Sequence, residues 1–235
     1  KREFERGKIN VSSAGTLLSF MEKPNFKMSF GFAQYCAEGN LCGDTIKTIN
    51  DSRGHMVFII SDGMGKGSRA ALDGAMGAGL LSKLLSAGFG FDSSLKVVNS
   101  ALLVKSHEES LATLDCVRVD LFSGKCEFYK AGAPRSYIVK DDRLTKCELT
   151  SMPAGILRGV EFAKRTTVLN TDDEIIMMSD GVTDVGNEWL EKFLRLETTL
   201  EPNEKAKAIL KIALENSDEK HRDDMSVIVA KMLER

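Results

Sequence analysis

The chain has 235 residues, 43% of them hydrophobic and 28% charged, and a chain of this length buries roughly 70% of its unfolded surface without help from disulfides or a structural metal. Its 32 basic and 34 acidic residues leave a net charge of -2, which argues against nucleic acid or an anionic membrane surface as the main partner. Cys36, Cys42, Cys116, Cys126 and Cys147 form no C-x-x-C pair and no zinc-ligand spacing, and no run approaches the roughly 18 apolar residues of a membrane span, so the expectation is a soluble, cytoplasmic segment that makes no membrane contact.

The first residue is Lys, and no signal peptide is visible. The expectation is one domain over 1–235, cut from a longer protein for which a membrane anchor stays open, with 1–25 as a regulatory or linker segment. Residues 1–10 are charge-rich, and 14–21 are apolar enough for a helix or a strand. Residues 28–36 alternate in polarity, and 56–61 form a β-branched and aromatic run between Gly54 and Gly63; both read as strands. Leu72, Met76, Leu80 and Leu84 recur at helical spacing and predict a helix over 68–87 with that stripe inward. Asp92 reads as the N-cap of a second helix whose inner face is Leu95, Val98, Ala101 and Leu102.

Strand-like runs follow at 114–122 and 126–130, joined by Ser123-Gly124, and again at 136–139 and 174–179. Ala206, Ile209, Leu210, Ala213 and Leu214 mark a helix, the Lys/Glu-rich stretch 201–211 reads as its solvated face, and 225–232 is the last strand. Strands, two helices, many strands, a helix and a strand make an α+β fold with mostly antiparallel pairing.

Two Ser-Asp-Gly triplets stand directly after apolar strands, Ser61-Asp62-Gly63 and Ser179-Asp180-Gly181. A carboxylate at a strand end, followed by a glycine that lets backbone approach, presents oxygen donors to a hard cation. Gly43-Asp44 and Asp223-Asp224 have a similar setting. Any single Asp-Gly is most simply a turn. Four converging carboxylates would repel one another unless protonated or neutralised. An all-oxygen set without His or Cys selects Mg²⁺ or Mn²⁺ over Zn²⁺, and two such ions about 3.5–4 Å apart suit phosphoester hydrolysis by an activated water.

These residues resemble the metal-dependent PP2C-like (PPM) protein serine/threonine phosphatases, and among them the bacterial stage II sporulation protein E branch and the related regulators of stress sigma factors. The resemblance runs over 33–231 through Gly43-Asp44, the stretch 61–70, Ala112-Thr113-Leu114-Asp115, Lys130-Ala131-Gly132, Met152-Pro153-Ala154-Gly155, Ser179-Asp180-Gly181-Val182-Thr183-Asp184 and Asp223-Asp224-Met225-Ser226-Val227. It implies a β-sandwich flanked by helices, with Asp44, Asp62, Asp180 and Asp223 as catalytic metal ligands and the Gly63 carbonyl contributing. It also implies two Mn²⁺ or Mg²⁺ ions and a phosphorylated anti-sigma-factor antagonist as substrate, and it leaves a homodimer open. Secondary candidates are Asp224, in a place often held by Asn, Lys66 and Arg69 as phosphate contacts, and His221 as a proton donor. Met64 stands where eukaryotic members carry a His, and the few residues before Asp44, Ala37-Glu38-Gly39-Asn40-Leu41, hold no Arg as a phosphate clamp. By the same resemblance, the segment 11–21 or the helix over 68–87 acts as a switch on metal occupancy.

Two other readings compete. A degenerate phosphatase fold would serve as a binding or regulatory module. Alternatively, Asp62-Gly63-Met64-Gly65-Lys66-Gly67 before a helix would cradle a nucleotide in an ATPase or kinase, but that reading leaves Asp44, Asp180 and Asp223 unexplained and matches no G-x-G-x-x-G or P-loop spacing.

Overall fold

The computed structural model describes residues 4–13, 15–37, 39, 41–51, 53–65, 67–105, 111–141, 143–159, 161–186, 188–197, 199–220 and 222–235. Lys66 and His221, two of the secondary candidates, lie outside them.

Ten strands form two five-stranded antiparallel sheets. The first runs β10 (Ala163–Val168), β7 (Lys125–Ala131), β6 (Leu114–Asp120), β5 (His55–Asp62), β4 (Asp44–Asn50). The second runs β3 (Phe26–Tyr35), β12 (Met225–Glu234), β11 (Glu174–Met178), β8 (Ser136–Lys140), β9 (Arg143–Cys147). Helices α1 (Gly67–Ser86) and α2 (Phe91–Lys105) cover the first sheet; α4 (Glu188–Leu196) and α5 (Pro202–Asn216) cover the second. The pairing is antiparallel, as the pattern of elements predicts, and the arrangement is the sandwich with flanking helices that the family resemblance implies.

The period-2 geometry of the central strands feeds two cores at once. Along β5, Val57 and Ile59 meet the helices, while Met56, Phe58 and Ile60 meet the other sheet. Along β12, Ile228, Ala230 and Met232 face the sheets' interior, while Val227 and Val229 pack under α5. Each fully buried large apolar side chain contributes about 1.5–3 kcal/mol, so these strands anchor four stacked layers.

The segment over 14–21, open between helix and strand in the sequence, is from residue 15 on a strand, β2 (Gly15–Glu22), which pairs with β1 (Phe4–Ser12) as a separate hairpin. Several expectations change. Asp44 opens a strand rather than closing one. Asp92 lies in the first turn of α2, one residue inside it, and not at its cap. In α1 the predicted leucine stripe is not the buried face: Leu72 is exposed and Met76, Leu80 and Leu84 are half-buried. Ala70, Asp73, Gly74, Gly77, Ala78, Leu81 and Leu85 face inward instead. The reason is proximity, because a Cβ on Gly74 would lie 2.2 Å from the Gly43 carbonyl oxygen and one on Gly77 2.8 Å from Ser61 Oγ. Small residues let α1 sit directly on the ends of β4 and β5. Within 201–211, Lys205 is buried and paired with Glu174 at 2.6 Å, against the expectation of a wholly solvated face. Among the described residues, no helix is long and apolar enough to cross a membrane.

Candidate active site

The antiparallel register sets Asp44, first residue of β4, directly opposite Asp62, last residue of β5. Opposed residues share a face, here the one that Ile46 and Ile60 extend between the sheets. From the other sheet, Ser179 follows β11, Asp180 opens the short helix α3 (Asp180–Thr183), and Asp223-Asp224 lead into β12. The sheet ends are pinned by hydrogen bonds: Ser179 N–H donates to Ser226 O at 3.0 Å and Ser226 N–H to Ser179 Oγ at 2.9 Å. The Gln34 side-chain amide donates to both the Asp44 carbonyl and Ser226 Oγ at 3.0 Å, tying the second sheet to the first at Asp44.

The electrostatics mark this end of the sandwich. Asp44 is buried and neither carboxylate oxygen has a hydrogen-bond partner of full geometry. Burial pushes its pKa up to about 6; the nearby Ser179 and Ser226 hydroxyls act against the shift, and the charges of Asp180 and Asp224 add to it. Asp62 is pushed further, to about 8, by burial first and then by the charges of Asp44, Asp180, Asp223 and Asp224. Asp180 is raised by burial and by Asp223 and Asp184, with the Gly181 N–H at 2.8 Å opposing. The carboxylates predicted from the sequence thus act on one another across the two sheets.

The remaining candidates divide. Asp223 is exposed, and its Oδ1 accepts the Asp224 N–H at 2.9 Å. Asp224 is a clamp: Oδ1 accepts the Ala37 N–H at 2.7 Å and Oδ2 the Gly43 N–H, so it fixes the loop that delivers Asp44. Gly63 is buried, and a Cβ there would lie 1.9 Å from the Ala70 carbonyl oxygen. Arg69 is exposed near the start of α1. Met64 is half exposed beside the site and offers no proton. Gln34, Ser179 and Ser226 carry no role in the sequence reading: Ser179 and Ser226 stand inside the motifs that it singles out, but their mutual hydrogen bonds and the one from Gln34 join residues far apart in sequence.

Among the described residues, no three His, Cys, Asp or Glu side chains stand together in ligating positions. The donor chemistry still fits a hard divalent cation: carboxylates only, one of them buried with both oxygens unpaired, and no soft ligand.

A family model described as Stage II sporulation protein E (SpoIIE) matches residues 52–233. The chain belongs to the SpoIIE family. Stage II sporulation protein E of Bacillus subtilis (strain 168) is 28% identical over 222 residues, which is 92% of this chain and 27% of that protein. Its counterpart from Priestia megaterium is 31% identical over 200 residues, 83% of this chain and 34% of that one. The chain therefore spans about a third or less of the curated relatives it matches. Among solved structures, the PP2C phosphatase domain of Bacillus subtilis SpoIIE with a fragment of its regulatory domain is similar at a TM-score of 0.84 and 26% identity, covering 98% of this chain and 72% of that one. The catalytic domain of the serine/threonine phosphatase PstP, in complex with two manganese ions, aligns at a TM-score of 0.71 and 19% identity over 88% of this chain and all of that one. At that identity the likeness is one of fold. The SpoIIE sandwich is thus a PP2C sandwich, as the motifs imply.

Proposed function

We propose that this SpoIIE-family chain is a metal-dependent protein phosphatase that hydrolyses phosphoserine and phosphothreonine, with 1–235 as one PP2C domain. The observation that carries the reading is the opposed pair Asp44 and Asp62, one with both oxygens buried and unpaired, facing Asp180 across the sheets. Asp44, Asp62, Asp180 and Asp223, with the Gly63 carbonyl, would hold Mn²⁺ or Mg²⁺, and two ions suit this number of oxygen donors. When bound, such ions neutralise phosphoryl oxygens and lower the pKa of water enough for it to attack phosphorus.

The chain's own residues prepare that chemistry. The β4–β5 register fixes the spacing of Asp44 and Asp62, Gln34 holds the Asp44 backbone, and Asp224 holds the loop before it. Burial keeps water from screening Asp44, so a cation gains more there than at the surface. Met64 offers no proton to the leaving serine oxygen, so protonation falls to solvent or to another side chain. The substrate we propose is a phosphorylated anti-sigma-factor antagonist, with residues 1–25 as the regulatory segment.

Calorimetric titration of Mn²⁺ into metal-free protein, with Asp62→Asn in parallel and a phosphoserine peptide assay on the same samples, tests this. Binding and turnover that both vanish in the mutant are expected. Turnover that survives Asp62→Asn at full metal dependence would refute the assignment, and a wild-type protein that takes up no millimolar Mn²⁺ would favour a binding module.

A further inference from the structure

Two short stretches outside the named strands stand between α2 and the end of β5. Residues 111–113 lie along the backbone of 62–64: Thr113 N–H donates to Asp62 O at 2.7 Å, Met64 N–H to Leu111 O at 3.0 Å, and Gly63 is bridged to Ala112. On its other side, Ala112 exchanges two hydrogen bonds with Ala154, at 3.2 and 2.9 Å. Ala154 begins an irregular loop in which Gly155 adopts φ +93°, a conformation that favours glycine. Behind that loop, Asn99 of α2 is 3% exposed and uses both ends of its amide: Oδ1 accepts the Gly155 N–H at 2.9 Å and Nδ2 donates to Leu157 O at 3.0 Å.

We propose that Asn99 is a positioning residue, which sets the backbone of Asp62 and Gly63 through the 154–157 loop and residues 111–113. The inference rests on the reading of Asp62 and Gly63 as metal-binding residues. The 154–157 loop lacks a strand of its own, so its place beside Ala112 depends on what holds its far side. The buried amide holds the Gly155 N–H, which would otherwise be left unpaired away from water, and it ties down the Leu157 carbonyl two residues further on. The Asn99 amide is hydrogen-bonded to Gly155 and Leu157 and not to the carboxylates, so its effect on Asp62 and Gly63 travels through that backbone ladder.

Asn99→Asp keeps the shape and replaces the Nδ2 donor by an oxygen facing Leu157 O; Asn99→Ser is the second variant, should the first not fold. Val98→Ala, a packing change on the same helix, is the control for general destabilisation. Amide hydrogen exchange on the metal-free proteins is expected to show Met64 and Thr113 exchanging about tenfold faster in the Asn99 variant, with β12 amides unchanged. Calorimetry is expected to show Mn²⁺ affinity falling about tenfold, as for other residues that orient metal ligands, and Val98→Ala at equal loss of thermal midpoint leaving it unchanged. Wild-type exchange rates at Met64 and Thr113 in a folded Asn99 variant, or an equal metal loss in Val98→Ala, would overturn the proposal. A wild-type protein that binds no Mn²⁺ overturns the metal reading instead, and the exchange rates on metal-free protein still decide the role of Asn99.

Discussion

Asp224 and Asp44 are close in space and opposite in circumstance. One accepts two backbone N–H groups, and the other has both oxygens unpaired. Their substitutions should therefore differ. Asp224→Ala leaves the Ala37 and Gly43 amides without their acceptor and is expected to lower stability by about 1–3 kcal/mol, measured by urea unfolding of metal-free protein. Asp44→Asn removes a charge that burial and the neighbouring Asp180 and Asp224 disfavour more than the Ser179 and Ser226 hydroxyls favour it, so it should leave metal-free stability unchanged or raise it, while Mn²⁺ binding by calorimetry falls. Gly74 makes a third case. A methyl there lies 2.2 Å from the Gly43 carbonyl, so Gly74→Ala must push α1 off the β4 end, at a cost of about 1–3 kcal/mol. A folded Gly74→Ala with wild-type metal affinity would show that the site does not depend on that close approach.

Among elements, α5 meets the second sheet through a buried ion pair, Lys205 with Glu174 at 2.6 Å, both under a tenth exposed. Removing one partner leaves the other charge buried and unpaired, so Lys205→Ala is expected to cost about 3–5 kcal/mol, while Lys205→Met with Glu174→Leu should recover most of it. Chemical denaturation of the two variants checks this. Lys205 also shows where the sequence was silent, since a lysine inside a Lys/Glu-rich helix looks solvated until its partner on β11 is known. The strands that were legible, β5, β11 and β12, are covered on both sides and read as continuous apolar runs. Edge strands β4 and β10 carry Lys and Thr on half-exposed faces and are not among the strands that the sequence predicts. The four aspartates were legible because each stands next to a glycine or a second aspartate at the border of a strand. The residues that hold their backbones, Gln34, Ser226 and Asn99, were not, because their partners are distant in sequence.

For the whole molecule, Glu127 of the first sheet contributes to stability in acid. Burial works to raise the Glu127 pKa, but hydrogen bonds from Arg118, Lys125 and Lys164 outweigh it and hold it at about 2, below the usual 4.5. The ion pairs with Lys125 and Lys164 measure 2.9 and 3.1 Å. A depressed carboxylate binds fewer protons folded than unfolded, so its stabilisation is present above pH 4.5 and lost as pH falls through 2. Glu127→Gln should be less stable than wild type at pH 7, and the gap should close towards pH 2, as thermal unfolding across that range would show. A gap constant with pH would mean the contacts act by packing and not by charge.

Asp44 and Asp62 ride on one sheet, and Asp180 and Asp223 belong to the other. If one sheet slid over the other, each sheet would keep its own ladder of hydrogen bonds, and the charge that Asp62 feels from Asp180 and Asp223 would change. The sandwich behaves like a vernier whose two scales coincide only when Phe58, Val117, Met177 and Ile228 are seated between them. A substitution among those apolar side chains, far from any aspartate, would then be read out at the site as misalignment before it was read out as unfolding.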